Sequence, residues 1–204
     1  MNAFKPLAIA GCCLGLLAAC ASTSTAPVLL TLPPSASTPA VASQSAVAGS
    51  PAPLLAVLRV GIPEYLVARR VRYRTDASTL AEWPNTYWAE RIEIGVSREF
   101  VSALRQQLPG WALCELNCAE QSPAGTVQVD LLSMDYLRGA QRLQARARIT
   151  LSGPGPAPKV LQSKELSYDL PATGDTPQAQ AQAMSNVIQQ VAAATAPLVI
   201  STKR

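Results

Sequence analysis

Two neighbouring stretches, TVQVDLLSMDYL at 126–137 and RLQARARITL at 142–151, alternate between apolar and polar residues on either side of Arg138-Gly139. A period of two predicts a pair of half-buried antiparallel strands joined by a turn. The second stretch keeps one apolar face throughout, made of Leu143, Ala145, Ala147, Ile149 and Leu151. The first stretch changes parity, so we expect a β-bulge near 131–133 and a local twist.

Further strand and helix signals flank this pair on both sides. Short apolar or alternating runs predict strands at 55–62, 70–75, 79–83, 111–116 and 160–170. An apolar residue recurs at every fourth position from Trp88 onward, which predicts a helix over 87–108 capped by Asn85 or Thr86. Thr176-Pro177 has the order of an N-cap followed by a first-turn proline, and predicts a second helix that ends before Pro197.

The N-terminus carries the pattern of a secreted lipoprotein. Lys5 precedes an uncharged apolar run that is too short to span a bilayer, and the run ends in Leu17-Ala18-Ala19-Cys20, which resembles the bacterial lipobox. We expect cleavage between Ala19 and Cys20, and acylation of Cys20 by diacylglycerol and a fatty acid such as palmitate. Several chains together give a stable membrane anchor. The alternatives are an apolar core helix and a signal peptide cut elsewhere.

These signals divide the chain into three parts. Residues 1–19 form the predicted signal peptide, and 20–53 a lipidated N-terminus with a tether rich in Pro, Ser and Ala. Such a tether has few large apolar groups to offset the entropy of ordering it. Residues 54–204 form a single domain. Because Ala21 rather than Asp follows Cys20, the sorting signal resembles that of lipoproteins at the periplasmic face of the outer membrane.

Composition and cysteine count limit the function classes. The formal net charge is only +4, with 15% charged residues and neither a polybasic nor an acidic tail, which argues against nucleic acid as a partner. Once the signal peptide and Cys20 are set aside, Cys114 and Cys118 remain. In an oxidising compartment they are expected to form a disulfide, with free thiols and a metal site as alternatives.

The absence of histidine bears on both metal binding and catalysis. It removes the commonest metal ligand and the base of Ser-His and Cys-His nucleophile pairs. Glu90 and Glu93, three residues apart, are the nearest approach to a carboxylate pair, and we interpret them as surface acids. We therefore predict no enzymatic activity, no metal and no cofactor.

Two groups of side chains are candidates for contact with a partner or a lipid. The first is a basic strand face formed by Arg142, Arg146 and Arg148, extended by Arg72 and Arg74. The alternative for it is a solvated or helix-covered face against which the arginine stems pack. The second group is Trp83 and Trp88, which either anchor a partner or pack in the core.

A family resemblance rests on Ile62-Pro63-Glu64-Tyr65-Leu66, on the arginine-containing strand that ends at Arg74, and on Trp88-Ala89-Glu90. In order and spacing, the chain from about Leu29 to Val199 resembles the PqiC-like ABC-type transport auxiliary lipoprotein family. The resemblance implies a three-layer α/β/α sandwich with a mixed sheet, of the anticodon-binding-domain-like type and similar to the N-terminal domain of TolB. The predicted strands and two long helices are compatible with that fold.

The resemblance also implies a function. Family members look like outer-membrane lipoproteins that work with MCE-domain proteins and ABC transporters in moving lipids between two membranes. We expect a partner of that kind, a membrane contact through the acyl chains and a possible homo-oligomer. A structural envelope lipoprotein with no part in lipid transport is the first alternative, and a carboxylate hydrolase is the second.

Overall fold

The centre of the sheet is the predicted hairpin, formed by β6 (Gly125–Leu137) and β7 (Arg142–Ser152). The structure is a computed structural model that describes residues 26–34, 52–115, 118, 122–155 and 157–202. The antiparallel register shifts between Leu131 and Ser133, which confirms the predicted bulge. The apolar face of β7 is buried, with Leu143, Ala147 and Ile149 fully enclosed. A short 3₁₀ turn, Arg138–Ala140, followed by Gln141 at φ 49°, closes the hairpin.

Six further strands complete a mixed eight-stranded sheet. They are β1 (Val28–Leu30), β2 (Leu54–Val57), β3 (Arg70–Arg74), β4 (Leu80–Trp88), β5 (Ala112–Cys114) and β8 (Val160–Pro171). β8 lies antiparallel to β7 at one edge, and β1 lies parallel to β4 at the opposite edge. Between them, β2 and β3 both run parallel to the same side of β6, and β5 pairs with β2.

The strand β4 is longer than the sequence predicts, and the first helix starts later. β4 runs through Pro84 to Trp88, and α1 spans Ile92–Gln107, so the predicted helix start at 87 and its cap at Asn85 or Thr86 were wrong. The cause is a wide bulge with Asn85 at φ 49°, because β3 pairs Arg72 with Glu82 but Arg70 with Tyr87. From Ile92 onward the predicted apolar stripe is buried as expected.

The second helix, α2 (Pro177–Ser201), begins as predicted and ends later. The hydroxyl of Thr176 accepts a hydrogen bond of 3.1 Å from the backbone N–H of Ala179, and Pro177 opens the first turn. The helix continues through Pro197, so the predicted end before that residue was wrong. A proline inside a helix costs about 3 kcal/mol. Val199, two residues after Pro197, is only 1% exposed, and burial of its side chain favours continuing the helix over stopping it.

The mixed α/β class with two long helices is confirmed, and the helices share one face of the sheet. α1 and α2 pack against each other, and their buried residues belong to the same core as the inward face of β6 and β7. On the other face, Gln144, Arg146 and Arg148 are exposed. In the described residues the arrangement therefore has two layers, whereas a three-layer sandwich needs helices on both faces. The likeness to anticodon-binding domains and TolB stays a prediction.

Residues before the predicted tether belong to the folded domain. β1 places Leu30 in the core at 7% exposed, and Leu32 follows at 2%. The backbone N–H of Ala89 donates to the Leu30 carbonyl at 2.7 Å, and the Ser185 hydroxyl of α2 donates to the Pro33 carbonyl at 2.9 Å. Among the described residues, the folded part therefore includes 28–33 in addition to the strands and helices from Leu54 onward, because Leu30 and Leu32 are buried in the core.

Several sequence predictions lie outside the described residues. These are the signal peptide over 1–19, its cleavage between Ala19 and Cys20, the acylation of Cys20, and the tether across 35–51. They stay predictions.

Candidate partner and membrane interface

The arginines on the outer face of β7 are matched by carboxylates on β8. Arg142 Nε lies 2.7 Å from Asp169 Oδ1, and Arg148 Nη2 lies 2.6 Å from Glu165 Oε1. Arg146 approaches the same Glu165 at 3.6 Å. Hydrogen bonds from Arg148 lower the pKa of Glu165, and hydrogen bonds from Arg142 lower the pKa of Asp169. The predicted basic face is thus a ladder of ion pairs, which weakens its role as a binding surface for anionic head groups.

Arg72 and Arg74 hold the outer face of β3 to its neighbours. Arg72 Nε contacts Glu82 at 3.4 Å, and its Nη1 donates to the Tyr65 carbonyl at 3.2 Å. Arg74 Nε lies 2.7 Å from Asp135 on β6, with both side chains at most 20% exposed. Tyr65 covers this pair, and burial raises the pKa of its hydroxyl. These contacts assign both arginines a structural role in joining β3, the segment at Tyr65 and β6.

The two tryptophans proposed as partner anchors are core residues. Trp83 is 5% exposed and Trp88 is 6% exposed, both on the helix-facing side of the sheet. Side chains five residues apart on a regular strand point to opposite faces, and the bulge in β4 at Asn85 brings Trp83 and Trp88 to the same face. The indole N–H of Trp83 donates to Gln180 of α2 at 2.7 Å, and Gln180 in turn donates to the Arg72 carbonyl at 2.7 Å. The alternative of core packing applies, and neither ring is available at the surface.

A cation over aromatic rings, which the sequence analysis missed, fixes the tip of the central hairpin. The guanidinium of Arg138 lies 4.3 Å from the ring centroid of Trp83 and 4.8 Å from that of Tyr73. It also pairs with Asp175 at 2.8 Å, just before the start of α2. The hydrogen bond from Arg138 to Asp175 raises the pKa of Arg138. No sequence pattern signals this cluster, because its members come from four separate segments.

The cysteine and glutamate candidates are also located by the structure. Cys114 at the end of β5 is joined to Cys118, with Cα atoms 5.9 Å apart, within the range that a disulfide requires.

Glu90 pairs with Arg98 at 2.7 Å, and Glu93 pairs with Arg91. Each carboxylate is therefore held by its own arginine. Within the described ranges, no three His, Cys, Asp or Glu side chains come together as a metal site.

The sheet edge at β1 is the second surface that the sequence analysis missed. On its outer face Leu29 lies beside Tyr87 of β4, which lies beside Arg70 of β3, so the three side chains form one row across three strands. Leu29 is 56% exposed. The guanidinium groups of Arg70 and Arg69 stand 5.3 Å and 5.8 Å from the Tyr87 ring centroid. A cleft of about 300 Å³ between 67–69 and 88–92 adjoins the row.

Solved structures with the same fold support the assignment of class. One, described only as an uncharacterized protein, has a TM-score of 0.68 at 18% identity and covers 86% of this chain and 99% of its own. Protein XCC0632 from Xanthomonas campestris, of the DUF330 family, has a TM-score of 0.59 at 16% identity and covers 87% and 94%. At these identities the likeness shows the fold alone. No curated protein shows significant sequence similarity to the chain.

A family model gives the more specific result. The model described as ABC-type transport auxiliary lipoprotein component matches residues 31–196, which include all strands except β1, the whole of α1, and α2 as far as Ala196. The chain therefore belongs to the family of ABC-type transport auxiliary lipoprotein components. The family is one of auxiliary lipoproteins and not a known enzyme family. Membership also indicates a membrane-anchored protein of the cell envelope.

Proposed function

We propose that this protein is the lipid-anchored accessory subunit of an ABC and MCE-type lipid transport system, and that it links the periplasmic assembly to the outer membrane. The observation that carries the proposal is the family match over 31–196. The lipobox ending at Cys20 and the residue Ala21 after it support an anchor in the outer membrane. The expected partner is an MCE-domain protein of the transport system.

One apolar cleft in the described part of the domain fits a side chain of a partner better than a whole lipid. An apolar cleft lies between the end of β2 and the start of α1, where Leu58 and Ile94 are 44% and 41% exposed. Its volume is about 170 Å³. Ligand sites for small molecules usually measure about 300–1,000 Å³. A cleft of this size has room for a short apolar group of a partner and is too small for a whole phospholipid.

The test is the identification of captured partners in intact cells. An affinity tag is placed after Arg204, because Ser201 and Thr202 nearby are exposed and a tag there disturbs no core contact. After crosslinking, we expect an MCE-domain protein among the partners recovered with the wild-type protein. Capture of only outer-membrane assembly or cell-wall proteins would overturn the transport role and leave the structural lipoprotein in its place.

Two variants separate anchoring from sorting. Cys20→Ala removes the acylation site, and Ala21→Asp keeps that site but adds the residue that the outer-membrane pattern lacks. We expect both variants to lose the MCE partner if the protein must sit in the outer membrane. Fractionation shows whether the Ala21→Asp protein has moved to the inner membrane. If it has moved and still captures the partner, the proposed link between the two membranes is refuted.

A further inference from the structure

The chain between the predicted anchor and the folded domain is short. Val28, the first residue of β1, lies only eight residues after Cys20. A fully extended chain of that length spans at most about 28 Å, and as a flexible coil it averages about 16 Å. The long Pro, Ser and Ala-rich stretch across 35–51 is an insertion after β1, so it does not lengthen the connection to the membrane.

This connector limits which surface of the domain can face the membrane. A domain of about 150 residues has a radius of gyration of roughly 15 Å and is therefore about 40 Å across. A flexible connector that averages about 16 Å holds the surface around β1 closer to the membrane than the opposite edge of the sheet. β8 is at the opposite edge of the sheet, separated from β1 by β4, β3, β6 and β7. At about 4.8 Å per strand step, that separation is about 24 Å.

The surface around β1 has the composition of a membrane-interface site. We call it the β1 edge patch, and it consists of Val28, Leu29, Val67, Arg69, Arg70 and Tyr87. Its three aliphatic side chains are 39% to 56% exposed. Aliphatic groups, a tyrosine and flanking arginines are the residues that enter or border the head-group region of a bilayer.

The charges of the patch favour an anionic surface. Arg69 forms no ion pair in the part of the chain that the structure describes, and only its contact with the Tyr87 ring is seen. Arg70 shares Glu82, at 3.3 Å, with Arg72. Glu90 lines the adjoining cleft and pairs with Arg98 at 2.7 Å. The patch itself therefore contains two cations and no acid, whereas each arginine of the β7 and β8 ladder contacts a carboxylate.

We propose that the β1 edge patch rests on the phospholipid leaflet that holds the acyl chains of Cys20. Leu29, Val28 and Val67 enter the head-group boundary, and Arg69 and Arg70 bind the phosphates of anionic phospholipids. The opposite edge of the sheet, at β8, then lies away from the anchor, toward the periplasmic assembly. The inference rests on the lipid anchor of the proposed function, and it adds the orientation in which the domain is held.

The experiment uses the purified, acylated full-length mature protein in vesicles of phosphatidylethanolamine and phosphatidylglycerol. A photoreactive phenylalanine replaces Leu29 in one sample and Leu161 in the other. Leu161 is the matched control, since it is also an exposed leucine, at 49%, but lies on β8. After irradiation we expect lipid adducts at position 29 to exceed those at position 161 by at least about tenfold. Equal yields, or a higher yield at position 161, overturn the proposal.

A charge reversal tests the arginine contribution. Arg69→Glu is expected to reduce the adduct at position 29 by at least about fivefold in phosphatidylglycerol vesicles, the effect of one basic charge at an anionic surface. Arg146→Glu, on β7 and 61% exposed, is the matched control and is expected to change nothing. An equal effect of both variants overturns the head-group contact. Because the vesicles hold no transport partner, this result is independent of the capture experiment. Lack of acyl chains in the purified protein, read by intact mass, overturns the anchor and the orientation together.

Discussion

Replacing Leu32 by alanine tests whether the N-terminal segment is part of the fold. Leu32 is 2% exposed, and its Cδ1 packs over Gly95 of α1, 3.6 Å from where a Cβ would stand. The next residue, Pro33, accepts a hydrogen bond from Ser185 of α2. The segment therefore fastens β1 to both helices, although it precedes a stretch with the composition of a disordered tether.

The size of the effect follows from this burial. Truncating a buried leucine to alanine costs about 2–5 kcal/mol of unfolding free energy, which includes the lost transfer energy and the cavity left behind. For a domain of this size, each kcal/mol lowers the melting temperature by roughly 2–4 °C. We therefore expect Leu32→Ala to lower it by about 6–12 °C, with about 3 kcal/mol as the central value.

The assay is thermal unfolding of the chain from Ala21 onward, which lacks the acylation site, followed by circular dichroism. Leu29→Ala is the matched control, because Leu29 is on the same segment but 56% exposed, and an exposed substitution changes stability by at most about 0.5 kcal/mol. Substitutions at exposed positions change the melting temperature by on the order of 1–2 °C. A melting temperature for Leu32→Ala that close to the control would refute the assignment of 28–33 to the core.

Three further predictions concern the disulfide, the core hydrogen bonds and the strand ion pairs. Cys114→Ser should lower the unfolding free energy by about 2 kcal/mol, because the bridge removes the entropy of a five-residue ring from the unfolded chain. The intact mass of the wild type without reductant should show Cys114 bridged to Cys118. Gln180→Ala should cost about 1–3 kcal/mol in chemical denaturation, because it leaves a buried indole N–H and a carbonyl without their partner. Because Arg148 lowers the pKa of Glu165 in the folded state, their contact stabilises the fold above the ordinary glutamate pKa of 4.5, and this stabilisation is lost as the pH falls below it. Glu165→Gln should therefore flatten the loss of unfolding free energy with acid in that range.

Each of these predictions has a control and an opposing outcome. Reductant should lower the stability of the wild type to that of Cys114→Ser, and no change on reduction would contradict the bridge. Gln182→Ala alters a glutamine whose side chain donates to Asn186 of its own helix, and an equal loss there would remove the case for the buried network at Gln180. Glu64→Gln removes the same charge from an exposed site, so an equal change in acid slope would show a net-charge effect in place of the ion pair.

The elements predicted well from sequence are those with a local, repeating signal. The hairpin of β6 and β7, its bulge near Leu131, and the Thr176 cap of α2 all follow from patterns within a few residues. The boundary between β4 and α1 failed for a physical reason. Trp88 continued the helical spacing of the residues after it, but the bulge at Asn85 places it on a strand.

The candidate contact residues were predicted less well than the elements. The outward side of β7 was recognised, but the carboxylates that neutralise it come from β8, and their positions depend on the register of two strands joined by a turn. The β1 edge patch was missed because its residues come from three separate segments. Neither their exposure nor their proximity is visible before the strands pair.

The sequence by itself determined the lipobox pattern that ends at Cys20, the apolar faces of β6 and β7, the start of the second helix and the membership in an auxiliary lipoprotein family. The first three of these properties are local, because side-chain period, capping and cleavage signals act over a few residues. Only the tertiary structure decided that both helices lie on one face, that Trp83 and Trp88 are buried, and that 28–33 joins the core before the tether begins. Burial and charge pairing depend on which distant segments meet, and that is fixed by the packing of the whole domain.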